Sequence, residues 1–580
     1  MLLISSTAAS PLPAQAVDKN PAFASQLVLS QASFPPPDIL KPPSRNIPTP
    51  ETPQPSPVLP PPEELLRPPA SSPEVTQPQP LPDNVPATIT VERFEVVGST
   101  VFSPAELAAV TQAFTQRPIS LAELFQARSA LTQLYVERGY ITSGAYIPPQ
   151  QLRNGVVTIQ IVEGTLEEII ITGTRRLKPT YVQNRLAIAT QQPLNRDRLL
   201  EALQLLQLNP LIESLSAELS AGTRPGENLL EVRVTEAETF NTQITLDNGR
   251  SPSVGTFRRR LQLSEANLLG LGDSLTAAYT NTDGSNSLDA SYTLPLNARN
   301  GTLNLAYGTS SSQVIEEPFD QLDIDANSRY YELTLRQPLV ETPREEFAIG
   351  LTASRRESQA SLLGGDIPFP ALGADEQGKT RISALRFFQE WTRRGNREVF
   401  AARSQFSLGL DALDATLSDT GPDSRFFSWR GQGQWVRLLA PDTLLLLRTD
   451  VQLAERSLVP LEQIGLGGLE TVRGYRQDLL LADNGLFASA EVRLPIARIR
   501  RWDSVLQLTP FVDFGTAWNR GDREEADPNP LASVGLGLRW QMGDRLTARL
   551  DWGIPLVSVD VSKETLQENG LYFSILYNPF

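Results

Sequence analysis

Hydrophobic and polar residues alternate with a period of two through the C-terminal part of the chain, from about residue 240 onward. Val534, Leu536 and Leu538, for example, are separated by Gly535 and Gly537. This alternation predicts strands with one apolar and one polar face, and the Gly-, Asp-, Asn- and Ser-rich segments between them suit hairpin turns. At roughly 21 residues per strand and connection, the approximately 340 residues of 238–580 predict about sixteen antiparallel strands, an allowed number for a transmembrane β-barrel.

An internal repeat precedes this region. The segment Thr115–Ser120 (TQRPIS) recurs 75 positions later as Thr190–Asn195 (TQQPLN), and Gly98 is matched at the same offset by Gly173. Each copy reads as strand, helix, helix, strand, strand. In the first copy, two Ser-x-x-Glu sequences that begin at Ser103 and Ser120 are typical of capped helix starts. We therefore predict two α+β domains of one type, residues 88–164 and 165–237.

The first 87 residues have a different character. Residues 1–16 end in Ala14-Gln15-Ala16, the small-x-small form of a signal-peptidase site, and are interpreted as the remnant of a signal peptide. Residues 17–34 form either a short helix or a disordered tail. Twenty of the 47 prolines fall within 35–86, so residues 35–87 are predicted to be a disordered Pro-rich linker.

Composition removes several classes of function. The chain contains no Cys and no His, which excludes thiolate nucleophiles, His-based triads and Cys/His zinc sites. No catalytic residue, metal site or cofactor is predicted, and the protein is not expected to be an enzyme. The net charge of −15, with no basic stripe, argues against a nucleic-acid partner. There is no run of about 18 apolar residues for a membrane-spanning helix, whereas the alternating strands suit a barrel with a hydrated lumen.

Three sequence motifs carry a resemblance to a known family. They are Val472-Arg473-Gly474-Tyr475, the strand motif containing Phe511, Asp513 and Gly515, and the hairpin Asn267–Asp273. With the tandem repeats and an aromatic C-terminal strand (Phe573, Tyr577, Phe580), residues 88–580 resemble the two-partner secretion transporters (TpsB, ShlB/FhaC-type).

This resemblance implies an outer-membrane barrel preceded by two periplasmic POTRA domains. It also implies that the Val472–Tyr475 tetrad lies on the sixth extracellular loop, that the aromatic terminus is a barrel signal, and that residues 17–34 form a pore plug. The implied partners are a secreted TpsA-like β-helical exoprotein, outer-membrane lipid, and the barrel-assembly machinery that inserts the protein itself.

The strand motif also has a physical interpretation. Alternation along residues 506–518 places Asp513 in the lumen, together with Phe511, an apolar exception that needs a packing partner. A long loop folded into the barrel would supply the Arg473 guanidinium to Asp513, with Gly474 allowing a sharp turn and Gly515 leaving room for the arriving side chain. The alternative is that Arg473 lies in a solvated loop and Asp513 in an ordinary polar lumen.

The expected function is that of a translocator that captures an unfolded exoprotein with its POTRA domains and secretes it through the barrel. Strand addition to an exposed sheet edge would give the affinity, although the sequence does not identify the edge. The alternatives are an insertase that assembles other barrels, a passive porin and a soluble β-rich enzyme.

Overall fold

The computed structural model describes residues 62–67, 88–365, 367–369, 371–419, 421–521, 523, 529–559 and 564–579. The predicted signal remnant 1–16, the segment 17–34, most of the predicted linker and Phe580 lie outside these residues. Among the described helices, none is both long and apolar enough to cross a membrane.

The first described elements are a short helix and a two-residue strand, α1 (Pro62–Leu65) and β1 (Leu66–Arg67). The first repeat then folds as a small α+β domain. Its elements are β2 (Ile89–Val91), β3 (Arg93–Val97), α2 (Pro104–Thr111), β4 (Arg117–Ile119), α3 (Leu121–Glu137), β5 (Gly144–Tyr146) and β6 (Val156–Val162). The main sheet has the order β3-β6-β5, and β2 pairs separately with β4.

Both predicted helix starts in the first repeat are confirmed. Ser103 caps α2 and Ser120 caps α3, each in a complete capping box with the glutamate three residues later. The hydrogen bond from the Ser120 backbone N–H and the hydrogen bond from Arg117 lower the pKa of Glu123 to about 2. The charged carboxylate is thus favoured at the positive end of the helix.

The second repeat keeps the strand, helix, helix, strand, strand order of the first, without counterparts of β2 and β4. Its elements are β7 (Thr165–Thr172), α4 (Pro179–Ala189), α5 (Arg196–Gln207), β8 (Ile212–Ala221) and β9 (Glu227–Glu236), and the sheet order is β1-β8-β9-β7. Leucines of the two helices pack on alternate residues of β8 and β9 to form its core. Residues 62–67 fall within the predicted linker but belong structurally to this domain, because β1 adds a fourth strand to its sheet.

A closed antiparallel barrel follows. The strands that form its wall are β10 (Phe240–Asp247), β11 (Arg258–Ala266), β12 (Ser274–Asn281), β13 (Ser285–Pro295), β14 (Thr302–Gln313), β15 (Asp325–Glu341), β16 (Glu345–Leu362), β18 (Lys379–Arg394), β19 (Glu398–Leu410), β20 (Phe427–Ala440), β21 (Thr443–Ala454), β24 (Asn484–Ile499), β25 (Ser504–Trp518), β26 (Leu531–Met542), β27 (Leu546–Pro555) and β28 (Leu571–Tyr577). The pairing of β10 with β28 closes the ring, and the two-residue β17 (Ile367–Pro368) extends one hairpin. The predicted sixteen-stranded barrel is confirmed.

The two faces of the wall differ as the alternation predicts. On β26, Val534, Leu536 and Leu538 are exposed on the outer face, whereas Ser533 is buried inside. All connections at one end of the barrel have seven residues or fewer, whereas those at the other end have ten or more, except for the three-residue turn 282–284 between β12 and β13. Since β9 leads directly into β10, the second repeat lies at the end with the short connections.

The second repeat also contacts the barrel through the hairpin turn 267–273. The Lys178 backbone N–H donates to the Gly270 carbonyl at 2.9 Å, and Arg176 pairs with Glu265 at 2.7 Å. A Cβ on Gly272 would lie 2.3 Å from the Tyr181 ring, so only glycine fits there. The sequence motif at this hairpin therefore packs directly against the second domain.

Candidate functional site

The loop between β21 and β24, residues 455–483, runs inside the barrel. Two short strands, β22 (Ile464–Leu466) and β23 (Leu480–Ala482), pair to form a hairpin within it. Its apolar residues, Val472 and Tyr475 among them, pack against inward-facing Phe487, Ala517 and Leu531 of the wall. We call residues 455–483 the inner loop.

Arg473 of the inner loop is fully buried and forms a two-pronged ion pair with Asp513 of β25. Its Nε lies 2.7 Å from Asp513 Oδ2 and its Nη2 lies 2.9 Å from Oδ1. The Arg473 backbone N–H and the Ser489 hydroxyl donate further hydrogen bonds to the same carboxylate, at 3.2 and 2.6 Å. Each oxygen of the Asp513 carboxylate thus accepts two hydrogen bonds, as the burial of such a charged pair requires.

Two further wall carboxylates face the same guanidinium. Arg473 Nη1 lies 2.8 Å from Glu491 Oε2 on β24 and 3.5 Å from Asp551 Oδ2 on β27. Arg493 pairs with Glu491, and Arg549 pairs with both carboxylates. Three arginines therefore pair with three acids in this buried cluster.

Phe511, the apolar exception on the inner face, lies directly beneath the guanidinium. The Arg473 Cζ is 3.3 Å from the centroid of the Phe511 ring, a close cation–π contact. On the neighbouring strand, a Cβ on Gly535 would lie 2.2 Å from the ring, so this glycine makes the space that the ring occupies. Ion pairing and ring stacking together fix one orientation of Arg473.

The backbone beside Arg473 is fitted closely to the wall. Gly474 has φ of +100°, which a residue with a side chain rarely adopts, and its N–H donates to the Tyr572 hydroxyl at 2.9 Å. A Cβ on Gly553 of β27 would lie 2.5 Å from the Gly474 nitrogen. The hydroxyl of Tyr475 donates to the backbone carbonyl of Ala532 at 2.8 Å.

The structure corrects the expected role of Gly515. This residue faces Val472 rather than the guanidinium, since a Cβ added to Gly515 would lie 2.7 Å from Val472 Cγ2. The backbone of Arg473 lies against Gly553, on the neighbouring part of the wall. Val472, the residue before Arg473, therefore fills the space over Gly515.

A second ionic contact anchors the other half of the inner loop. The side chain of Glu462 is 5% exposed and accepts hydrogen bonds from both Nη atoms of Arg386 on β18, at 2.9 and 2.7 Å. Arg356 of β16 pairs with the same carboxylate at 3.3 Å. Because β16 and β18 lie across the ring from β25 and β27, the inner loop is held to two opposite walls by charges of opposite sign.

Two aromatic residues of the last strand, Phe573 and Tyr577, lie apart from this cluster. Tyr577 faces outward and is 41% exposed, and the ring of Phe573 lies 5.9 Å from that of Phe257. Phe580 lies outside the described residues. The inward-facing member of β28 is Tyr572, which is fully buried against the inner loop.

Comparison with known families then decides the identity of the chain. The family model described as haemolysin secretion/activation protein ShlB/FhaC/HecB matches residues 226–540, and the model of the ShlB-type POTRA domain matches residues 89–164. The chain belongs to the ShlB/FhaC/HecB family. It is therefore an outer-membrane transporter with periplasmic POTRA domains, and the expected resemblance and localisation are confirmed.

Relatives match over most of the chain. The outer membrane transporter CdiB of Dickeya dadantii is 25% identical over 67% of this chain and 69% of its own length. The heme/hemopexin transporter protein HuxB of Haemophilus influenzae is 22% identical over 75% of this chain and 77% of its own length.

Solved structures agree in fold. CdiB from Escherichia coli superposes with a TM-score of 0.64 at 20% identity, covering 88% of this chain and 94% of that one. BamA from Haemophilus ducreyi lacking POTRA domains 1–3 superposes with a TM-score of 0.52 at 13% identity, covering 85% of this chain and 100% of that one.

The sequence motifs of the ShlB/FhaC/HecB resemblance left out many residues of the site, among them Asp551, Gly553, Glu491 and Tyr572. Asp551 and Gly553 repeat the Asp-x-Gly spacing of Asp513 and Gly515, a signal that could have identified them. For Glu491 and Tyr572 the sequence shows only that they occupy inward-facing positions of their strands. Many other lumen residues do the same.

Proposed function

We propose that this transporter captures one large exoprotein in an unfolded form at its POTRA domains and releases it through the barrel after the inner loop moves. The observation that carries the proposal is the inner loop itself, a charged and closely fitted segment held inside a closed barrel. A passive pore has no need for such an obstruction, whereas a regulated conduit does. The proposed partner is a TpsA-like exoprotein with a β-helical body.

The energetics of the site support a gate rather than a permanent plug. Ion pairs and hydrogen bonds join the inner loop to the wall on two sides, and these groups can exchange their partners for water when the lumen is hydrated. Nothing covalent has to break. The described residues contain no nucleotide-binding motif, so we infer that folding of the exoprotein outside the cell draws it through.

We propose that the apolar outer face of the barrel, which includes the exposed leucines of β26, contacts outer-membrane lipid. Insertion of the protein into that membrane is assigned to the barrel-assembly machinery of the cell.

Quantitative proteomics of the culture medium and the outer membrane, with and without the gene, tests the proposal. We expect one large exoprotein to disappear from the medium while other barrel proteins keep their abundance. Expression of the wild-type chain from a plasmid should restore it. A parallel decrease in many outer-membrane barrels would instead identify an insertase and overturn the proposal.

A further inference from the structure

The outer edge of the second POTRA sheet is occupied by the chain itself. Strand β1 pairs in parallel with β8, with Leu66 opposite Ala217 and Arg67 opposite Glu218. Leu65 at the end of α1 is fully buried, and Leu66 packs on the leucine core of the domain. Helix α1 lies against α5 and β8, so this segment fills the groove between that helix and the sheet edge.

The edge of β8 has more residues available for strand pairing than residues 62–67 use. Strand β8 has ten residues, and within the described part of the chain only two of them have a partner on the outer side. The corresponding edge of the first POTRA domain is β5, which has three residues, and the Ala145 N–H already donates to the Thr132 hydroxyl at 3.0 Å. Of the two edges, β8 is therefore the one that an extended polypeptide can join over several residues.

We propose that the groove between β8 and α5 is the docking site for an extended segment of the exported polypeptide, and that residues 62–67 occupy it until that segment displaces them. The inference rests on the proposed function. The site selects two adjacent aliphatic side chains, which take the places of Leu65 and Leu66, followed by backbone that pairs in parallel with β8. Residues 62–67 therefore act as an internal competitor.

The sequence of the competitor explains why it can be displaced. Pro68 and Pro69 follow directly after Arg67, and proline has no N–H with which to continue a strand ladder. Within the described residues the internal segment pairs with β8 at two positions, and its covalent attachment to the same chain gives it a high local concentration. An unfolded exoprotein segment without prolines can pair along the remaining residues of β8 and gains a hydrogen bond wherever it does so.

A disulfide lock in the full-length transporter tests the displacement. The chain has no cysteine, so Leu66→Cys combined with Ala217→Cys gives a single defined bridge between neighbouring strands, whose spacing suits a disulfide. The matched control is Ile170→Cys with Glu231→Cys, a parallel pair within the permanent part of the same sheet. The readout is the amount in the medium of the exoprotein that is missing from the deletion strain.

We expect the oxidised lock to reduce export at least tenfold, and dithiothreitol to restore it, while the control pair exports equally in both states. Equal export by the oxidised and reduced lock would overturn the inference. If the deletion strain loses no exoprotein at all, the proposed function fails instead, and that result is read before any lock is made.

A binding measurement tests the groove without the exoprotein. The probe is a fluorescein-labelled peptide with the sequence of residues 60–69, added to the purified full-length transporter. We expect it to bind the reduced lock variant at least tenfold more tightly than the oxidised one, because only the reduced segment can leave the groove. A peptide with both leucines replaced by aspartate serves as the control. Equal binding of the two redox forms, or equal binding of the two peptides, would overturn the assignment of the groove.

Discussion

Replacing Asp513 by asparagine removes the charge that directly opposes Arg473, the fully buried arginine of the inner loop. Asparagine has nearly the same shape, so the packing of β25 is retained. Its amide group, however, can present only one oxygen to a guanidinium that now uses both carboxylate oxygens, at 2.7 and 2.9 Å. The expected result is an inner loop that leaves the wall more often.

The size of the effect follows from burial and from the charges that remain. Removing one partner of a fully buried ion pair costs about 3–5 kcal/mol, because the other charge is left uncompensated. Glu491 still lies 2.8 Å from Arg473 and Asp551 lies at 3.5 Å, so the lower end, about 3 kcal/mol, applies here. Since about 1.4 kcal/mol corresponds to a factor of ten, the undocked population should rise about 100-fold.

A cysteine reporter measures this population. Ala482 of the inner loop is 2% exposed, and Ala482→Cys would be the only thiol in the chain. When the loop redocks faster than maleimide reacts, the labelling rate is proportional to the undocked population. We expect Asp513→Asn to raise that rate about 100-fold. The control is Asp450→Asn, which removes a carboxylate paired with Arg430 between two wall strands, and should leave the rate nearly unchanged.

Combination with Arg473→Gln tests whether the two residues act as a pair. If they do, the double variant should label no faster than the faster of the two single variants, because each substitution removes the same interaction. A double variant whose increase equals the product of the two single increases would refute direct coupling. So would an Asp513→Asn variant that labels no faster than the Asp450→Asn control.

Three further outcomes are expected. Tyr572→Phe removes the hydroxyl that accepts from the Gly474 N–H at 2.9 Å, leaves a buried donor unpaired at a cost of about 1–3 kcal/mol, and should raise labelling of the same reporter about tenfold. Glu462→Gln weakens the pair with Arg386 and should increase the conductance of single pores in planar bilayers, whereas an unchanged conductance would show that this half of the loop is fixed by packing alone. Burial by itself raises the pKa of Glu163, but hydrogen bonds from neighbouring hydroxyl and backbone groups outweigh it and hold the pKa below 4.5. The stability that this carboxylate gives the first POTRA domain is therefore present above about pH 4.5 and is lost as the pH falls through the lowered pKa, so hydrogen-exchange protection of residues 99–102 should depend on pH in that range in the wild type and not in Glu163→Gln.

Features with a local physical cause could be predicted from the sequence. Alternation placed Val534 on the outer face and Ser533 inside because successive side chains of a strand point to opposite sides. The Ser-x-x-Glu sequences located two helix starts because the capping groups lie within four residues of one another. Asp513 and Phe511 were expected in the lumen for the same local reason.

Features that depend on which strands meet across the barrel could not be predicted in this way. Glu462 and Arg386 are separated by 76 positions, and Gly474 and Tyr572 by 98. Every lumen residue faces inward, so this orientation alone does not identify which residues contact one another across the barrel. Strand β1 was missed for a related reason, since two residues have no periodicity and their pairing is determined by the edge of β8.

Two contacts precede export in this proposal, that of residues 62–67 with β8 and that of the inner loop with the barrel wall. They differ in strength, and this difference determines the sequence of the proposed steps. The segment 62–67 pairs with β8 through two residues and fully buries Leu65, a gain of about 1.5–3 kcal/mol that is opposed by the backbone entropy lost on fixing the segment. The inner loop is held by a buried pair whose disruption costs about 3 kcal/mol or more. A polypeptide can therefore displace the segment at β8 while the loop stays docked. Loop release then requires that the exoprotein bind the open barrel more tightly than the closed one, because a ligand shifts an equilibrium only through its difference in affinity for the two states. The POTRA edge thus provides recognition, and the Arg473 cluster sets the threshold that the bound exoprotein has to overcome.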